Sequence, residues 1–72
     1  MSYIICAEVY PDEEVNMGAE RDKVDAAVLN EREGYITFYV PGKFGEEKAR
    51  TLQLCTSLIN AGYSEFRIRH SF

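Results

Sequence analysis

The stretch Val24-Asp25-Ala26-Ala27-Val28-Leu29-Asn30-Glu31-Arg32-Glu33-Gly34 decides the fold, and it reads two ways. Residues 19–33 are rich in good helix formers. Val24, Ala27 and Val28 fall at helical spacing, and Gly34 suits the position after a helix C-terminus. The same residues also read as a strand over 24–30, with Val24, Ala26 and Val28 on one face, joined through Glu31-Arg32-Glu33-Gly34 to the next segment as a hairpin. The hairpin is preferred because it adds a member to the sheet, and three or more strands are far more stable than a lone pair. The helix stays as the alternative.

Working outward, Tyr35-Ile36-Thr37-Phe38-Tyr39-Val40 is the clearest strand, since all six residues are strong β formers. Ile36, Phe38 and Val40 point one way; Tyr35, Thr37 and Tyr39 point the other. Pro41-Gly42 breaks the strand. Upstream, residues 3–10 alternate, with Tyr3, Ile5, Ala7 and Val9 opposite Ile4, Cys6, Glu8 and Tyr10. Pro11 and Asp12-Glu13-Glu14 end that strand. Downstream, residues 46–61 read as an amphipathic helix. Glu46 and Glu47 occupy its first turn, Leu52, Leu54, Cys55, Leu58, Ile59 and Ala61 share one broad arc with Cys55 near the middle, and Gly62 is the stop. Residues 64–70 form the last strand, alternating Phe66, Ile68 and His70 with Glu65, Arg67 and Arg69.

The expected fold is α+β: a single domain over 1–72, a sheet of three to four strands and one main helix on one face. The order is β-β-β-α-β, or β-α-β-α-β on the helical reading. If the strands on either side of the helix are parallel, the crossover is right-handed. Ile36, Phe38, Val40, Phe66 and Ile68 should meet the helix, with Ile5, Ala7 and Val9 from the first strand.

Composition narrows the function. The chain is 46% apolar and 28% charged, an ordinary globular mix that argues against disorder. The formal charge is −4 and lies unevenly. From Glu8 to Glu33 there are nine acids against three bases; from Gly34 onward there are three acids against five bases. Such a chain repels phosphate backbones at long range, so direct nucleic-acid binding is disfavoured. Met1 to Ala7 has no basic n-region and too short an apolar run for a secretory signal, and nothing approaches the ~18 apolar residues of a membrane span. The expected location is the cytoplasm, where Cys6 and Cys55 are most simply free, buried thiols.

The chemistry-bearing residues are sparse. His70 is the one histidine and has no evident acid or nucleophile partner, so it reads as a residue ending a strand. Cys6, Cys55 and His70 match no zinc spacing, and Cys55 on an apolar helix arc is a poor nucleophile. Pro41-Gly42-Lys43-Phe44-Gly45 precedes a helix but lacks a phosphate-loop order, and Glu46 and Glu47 already occupy that helix end. No catalytic residue, metal ligand or cofactor is expected, and the chain does not read as an enzyme.

Two surfaces remain. Tyr35, Tyr39, Arg67 and Arg69 would share the sheet face away from the helix, and Tyr and Arg are enriched at interface hot spots. Asp12, Glu13 and Glu14 head an acidic segment able to meet a basic groove on a partner. The reading is a non-enzymatic binding protein. Self-association through the open sheet face and a small nucleic-acid-binding domain are the alternatives.

The acidic first half, Tyr35-Ile36-Thr37-Phe38-Tyr39-Val40, the amphipathic helix and Glu65-Phe66-Arg67-Ile68-Arg69 together resemble small phage-encoded inhibitors, among them anti-CRISPR proteins and inhibitors of host polymerase. That resemblance implies a compact α+β binder that occupies a functional surface of a larger protein or ribonucleoprotein complex. Gly34 to Val40, followed by a helix ending Leu58-Ile59-Asn60-Ala61-Gly62-Tyr63, is also similar to half of a SPOR-type peptidoglycan-binding domain.

Overall fold

The computed structural model describes residues 3–71. Strand β1 is Ile4–Val9, β2 is Ala27–Arg32, β3 is Tyr35–Pro41 and β4 is Arg67–Ser71; helix α1 is Glu47–Asn60. Two single-turn 3-10 helices, Glu14–Asn16 and Arg21–Lys23, lie between β1 and β2. The fold is α+β in the order β-β-β-α-β, so the hairpin reading holds in kind and residues 19–33 form no α-helix; the strand, however, begins at Ala27 instead of Val24, and Glu31 and Arg32, expected in the connection, pair with Ile36 and Tyr35.

All pairings are antiparallel and the sheet order is β2-β3-β1-β4. β3 and β4 therefore run parallel to each other on either side of β1, and α1 crosses over β1 to join them. Glu33-Gly34 fills the β2–β3 turn, with Gly34 at φ +75°, which glycine reaches without a Cβ penalty. A shift in register between Val28 and Asn30 makes Leu29 a bulge.

Alternation decides which face is buried. Tyr3, Ile5, Ala7 and Val9 are sealed with Ile36 and Phe38 against Leu54, Leu58, Ala61 and Tyr63, and Val40, Phe66 and Ile68 pack at the margin. The expected core set is thus in place. Each large side chain here contributes about 1.5–3 kcal/mol of burial. Phe38 and Tyr63 meet edge to face with centroids 5.9 Å apart.

The helix roll differs from the expected arc. Leu52 is 68% exposed and Ile59 60% exposed, and Cys55 is only half-buried. The cause is the helix end. Gly62 takes φ +103°, its N–H donates to the Ile59 carbonyl, and the Tyr63 N–H donates to the Leu58 carbonyl. This is a Schellman motif. It drives Ala61 and Tyr63 into the core, and that fixes Leu54 and Leu58 rather than Cys55 over the sheet.

Residues 11–26 lace along the helix end. The Glu20 N–H donates to the Ala61 carbonyl at 2.7 Å, and the Asp25 N–H donates to Ser57 Oγ at 2.6 Å. Val24 and Ala26 pack against the core, which accounts for the apolar content that also made this stretch look helical. Among the described residues no helix is long and apolar enough to cross a membrane.

Candidate functional site

The face of the sheet away from α1 is built by the register. Tyr39 pairs with Cys6, and Cys6 pairs with Arg69; Thr37 pairs with Glu8, and Glu8 pairs with Arg67. Directly paired residues share a face, so Tyr39, Arg69, Thr37 and Arg67 stand together with Tyr35, two residues from Thr37. All four sequence-selected residues of the face are therefore brought together. Arg67 and Arg69 are exposed, and Tyr35 and Tyr39 half-buried. Cys6 and Thr37 lie beneath them, 0% and 2% exposed, roofed by the larger side chains although no helix covers this face. Burial raises the Cys6 thiol pKa.

Glu8 is the hub, and the sequence reading did not single it out. Tyr35 Oη donates to Glu8 Oε2 at 2.6 Å, and Arg69 Nη2 lies 3.5 Å from the same oxygen. The carboxylate side chain is only 16% exposed, whereas Arg69 is 59% exposed. The bond to Glu8 is the main reason the Tyr35 hydroxyl pKa is raised, because ionising the phenol would place two anions together. A Glu in the central strand, on the same period as Tyr10 and Cys6, was the available signal. The Tyr10 and Tyr35 rings are tilted against each other with centroids 5.2 Å apart.

The acidic segment adjoins this face. Asp12 and Glu13 follow Tyr10 across Pro11, and Glu13 lines a cleft of about 280 Å³ with Glu8, Tyr10, Asn16, Glu65, Phe66 and Arg67. Asp12 reaches over the β2–β3 turn, its Oδ2 only 2.8 Å from where a Cβ on Gly34 would stand. Glu14 opens the first 3-10 turn and is exposed. The two surfaces that looked separate in the sequence are one continuous region.

That region is held rigidly. Asn16, 2% exposed, donates through Nδ2 to the Glu65 and Tyr10 carbonyls and accepts through Oδ1 from the Ser64 and Glu65 N–H groups. Ser64 Oγ adds a bond to the Val15 carbonyl at 2.7 Å. At about 1 kcal/mol net per bond this clamp holds the acidic turn against the start of β4. Farther along, Arg21 and Glu31 form a two-pronged ion pair, the cause of the lowered Glu31 pKa, so part of the acidic charge is already neutralised. Asp12, Glu13 and Glu14 stay outward-facing, as do Asp22, Asp25 and Glu33.

Carboxylates beside paired tyrosine rings suit a cation: the acids attract it, and ring faces add cation–π attraction. The two arginines on the same face suit carboxylates or carbonyls at the rim. His70 lies on the helix side, its Nε2 3.3 Å from Thr51 Oγ1, and takes no part in the region. Cys6 and Cys55 are free. Among the described residues no group of three or more His, Cys, Asp and Glu is placed to hold a metal ion.

The chain matches no protein-family model, no curated protein and no solved structure.

Proposed function

We propose that this chain is a non-enzymatic binding protein that docks its open sheet face and acidic lip onto a basic surface of a larger protein or ribonucleoprotein complex, and inhibits by occupying that surface. The observation that carries the reading is the continuity of Glu13, Glu8, Tyr10 and Arg67 around one cleft, with Tyr35 bonded to Glu8 beside it and Tyr39 and Arg69 on the same face. Tyrosine and arginine supply rigid, amphipathic anchors, and the lip of carboxylates supplies steering toward positive charge. The Asn16 clamp fixes the lip before binding, which lowers the ordering cost of association. Occupying a groove that otherwise holds nucleic acid needs no chemistry from the occupant, only spaced anions and a fitting shape.

The test uses paired variants in affinity capture from the native host lysate. Tyr39→Ala with Arg67→Ala, and separately Asp12→Lys with Glu13→Lys and Glu14→Lys, should each lose a partner that the parent chain retains. Asp12, Glu13, Glu14 and Arg67 are exposed and Tyr39 lies outside the buried core, so circular dichroism should be unchanged. A partner retained by both variant sets would remove the proposed surface. Binding of bare oligonucleotides with a steep salt dependence would replace the reading by direct nucleic-acid binding.

A further inference from the structure

We propose that the outer flank of α1 is the seam of an antiparallel homodimer, in which a second copy of this chain seats its own helix across Leu52, Cys55 and Ile59. This face lies apart from the open sheet face and does not depend on the function proposed there. The seam residues Lys48, Leu52, Cys55 and Ile59 follow the alternating four-three-four spacing of a coiled-coil stripe. Leu52 and Ile59 are among the most exposed large apolar side chains of the molecule. They flank Cys55 at nearly equal distance along the helix. A shallow hollow of about 390 Å³ opens on the same flank, bounded by Glu47, Lys48, Thr51, Leu52, Cys55 and His70. An apolar side chain from a facing helix fills it.

Charge selects a second copy in antiparallel orientation. The last turn of α1 carries no basic residue, so its capped carbonyl end keeps a negative dipole with no cationic side chain of that turn to offset it. Lys48 sits at the other end of the stripe. With a two-fold axis at Cys55, Leu52 meets Ile59 of the second copy, and Lys48 reaches the C-terminal turn of the second helix. A parallel pair sets Lys48 beside Lys48. No carboxylate interrupts the stripe. Glu47 turns back to accept from the Gly45 N–H, and Glu46 lies within ion-pair range of Lys43 and Arg50. The contact is isologous, so it closes on itself instead of propagating. A chain this short also gains most from added buried area.

The experiment is sedimentation velocity on the full chain from about 1 µM to about 500 µM, a span that covers weak dimer affinities. The expected result is a shift from monomer toward twice the monomer mass. A short bismaleimide should then trap a dimer through Cys55: Cys55→Ser abolishes the cross-link, and Cys6→Ser leaves it. Leu52→Glu alters an exposed residue, so the fold is kept, while dimerisation falls at least about tenfold. Tyr39→Ala with Arg67→Ala should leave sedimentation unchanged. A monomer at the highest concentration, a cross-link yield unaffected by Leu52→Glu, or loss of the dimer in the Tyr39/Arg67 variant would each overturn the proposal.

Discussion

The Asn16 carboxamide pairs with the backbone of Glu65 as a strand neighbour would: Nδ2 donates to the Glu65 carbonyl at 2.8 Å, and Oδ1 accepts from the Glu65 N–H at 3.2 Å. The two residues are 49 apart in sequence, so this side chain substitutes for a ladder between the acidic turn and the start of β4. Asn16→Ala leaves these groups and the Ser64 N–H short of a partner around a side chain that is 2% exposed, while the Tyr10 carbonyl keeps its bond from the Glu13 N–H. The expected loss is about 3 kcal/mol of unfolding free energy, read by urea denaturation. A loss below about 0.5 kcal/mol would mean that water takes over the clamp freely.

The helix roll gives a sharp contrast between two leucines six residues apart. Leu58 is 0% exposed and packs on the sheet; Leu52 is 68% exposed. Leu58→Ala should cost about 2–5 kcal/mol, and Leu52→Ala should stay within about 0.5 kcal/mol, measured on the monomer at low concentration. Equal costs would put Leu52 in the core and restore the arc read from spacing.

Why that arc was wrong, when the faces of the strands were right although the second and last strands begin three residues later than expected, has a physical cause. A strand has two faces, so the alternation in residues 3–10 and 35–40 leaves one choice, and core burial makes it. A helix with six apolar residues over a broad arc leaves the roll open, and here the Schellman turn at Gly62 settles it by burying Ala61 and Tyr63. The stretch from Val24 to Gly34 was ambiguous for a related reason: its apolar residues fit both periods. Pairing of Ala27 with Tyr39 and the Asp25 bond to Ser57 Oγ decide it, and both are tertiary. On the site, Tyr35, Tyr39, Arg67 and Arg69 were legible by period alone. The joining of Asp12 and Glu13 to that face was not, because it rests on the path of the chain after Tyr10 and on a clamp between residues far apart in sequence.

Alkaline pH should loosen the fold through three phenols. Tyr35 has its pKa raised above 10.0 chiefly by its bond to Glu8, and Tyr3 and Tyr63 have theirs raised chiefly by burial. A group whose folded pKa exceeds its unfolded value contributes stability that is present below the unfolded value and lost as pH rises through the folded one. Stability should therefore be level up to about pH 10 and fall above it. Denaturant melts across that range, with phenolate absorbance followed in parallel, read both. Tyr35→Phe should remove one late-ionising phenol and make the decline shallower; an unchanged slope would show that Glu8 does not hold the Tyr35 proton.

Two glycines at the start of the α1 connection separate steric demand from backbone demand. A Cβ on Gly42 would stand 2.3 Å from the Tyr3 ring. Neither partner can move off easily: the Gly42 N–H donates to the Tyr3 carbonyl at 2.8 Å, and Tyr3 Oη donates to the Lys43 carbonyl at 3.3 Å. The ring itself is 3% exposed and packs on Phe44 with centroids 4.9 Å apart. Gly45 is the reverse case, with φ +89° and open space where its Cβ would point. Gly45→Ala should thus cost about 1–2 kcal/mol, the ordinary penalty of a left-handed L-residue. Gly42→Ala should cost about 3 kcal/mol, because it displaces a core aromatic from a site bounded by its own backbone bond. Adding Tyr3→Ala to Gly42→Ala discriminates the cause. The two costs should sum to well above that of the double variant, since the clash disappears with the ring. Simple additivity would mean that Gly42 is needed for its backbone alone.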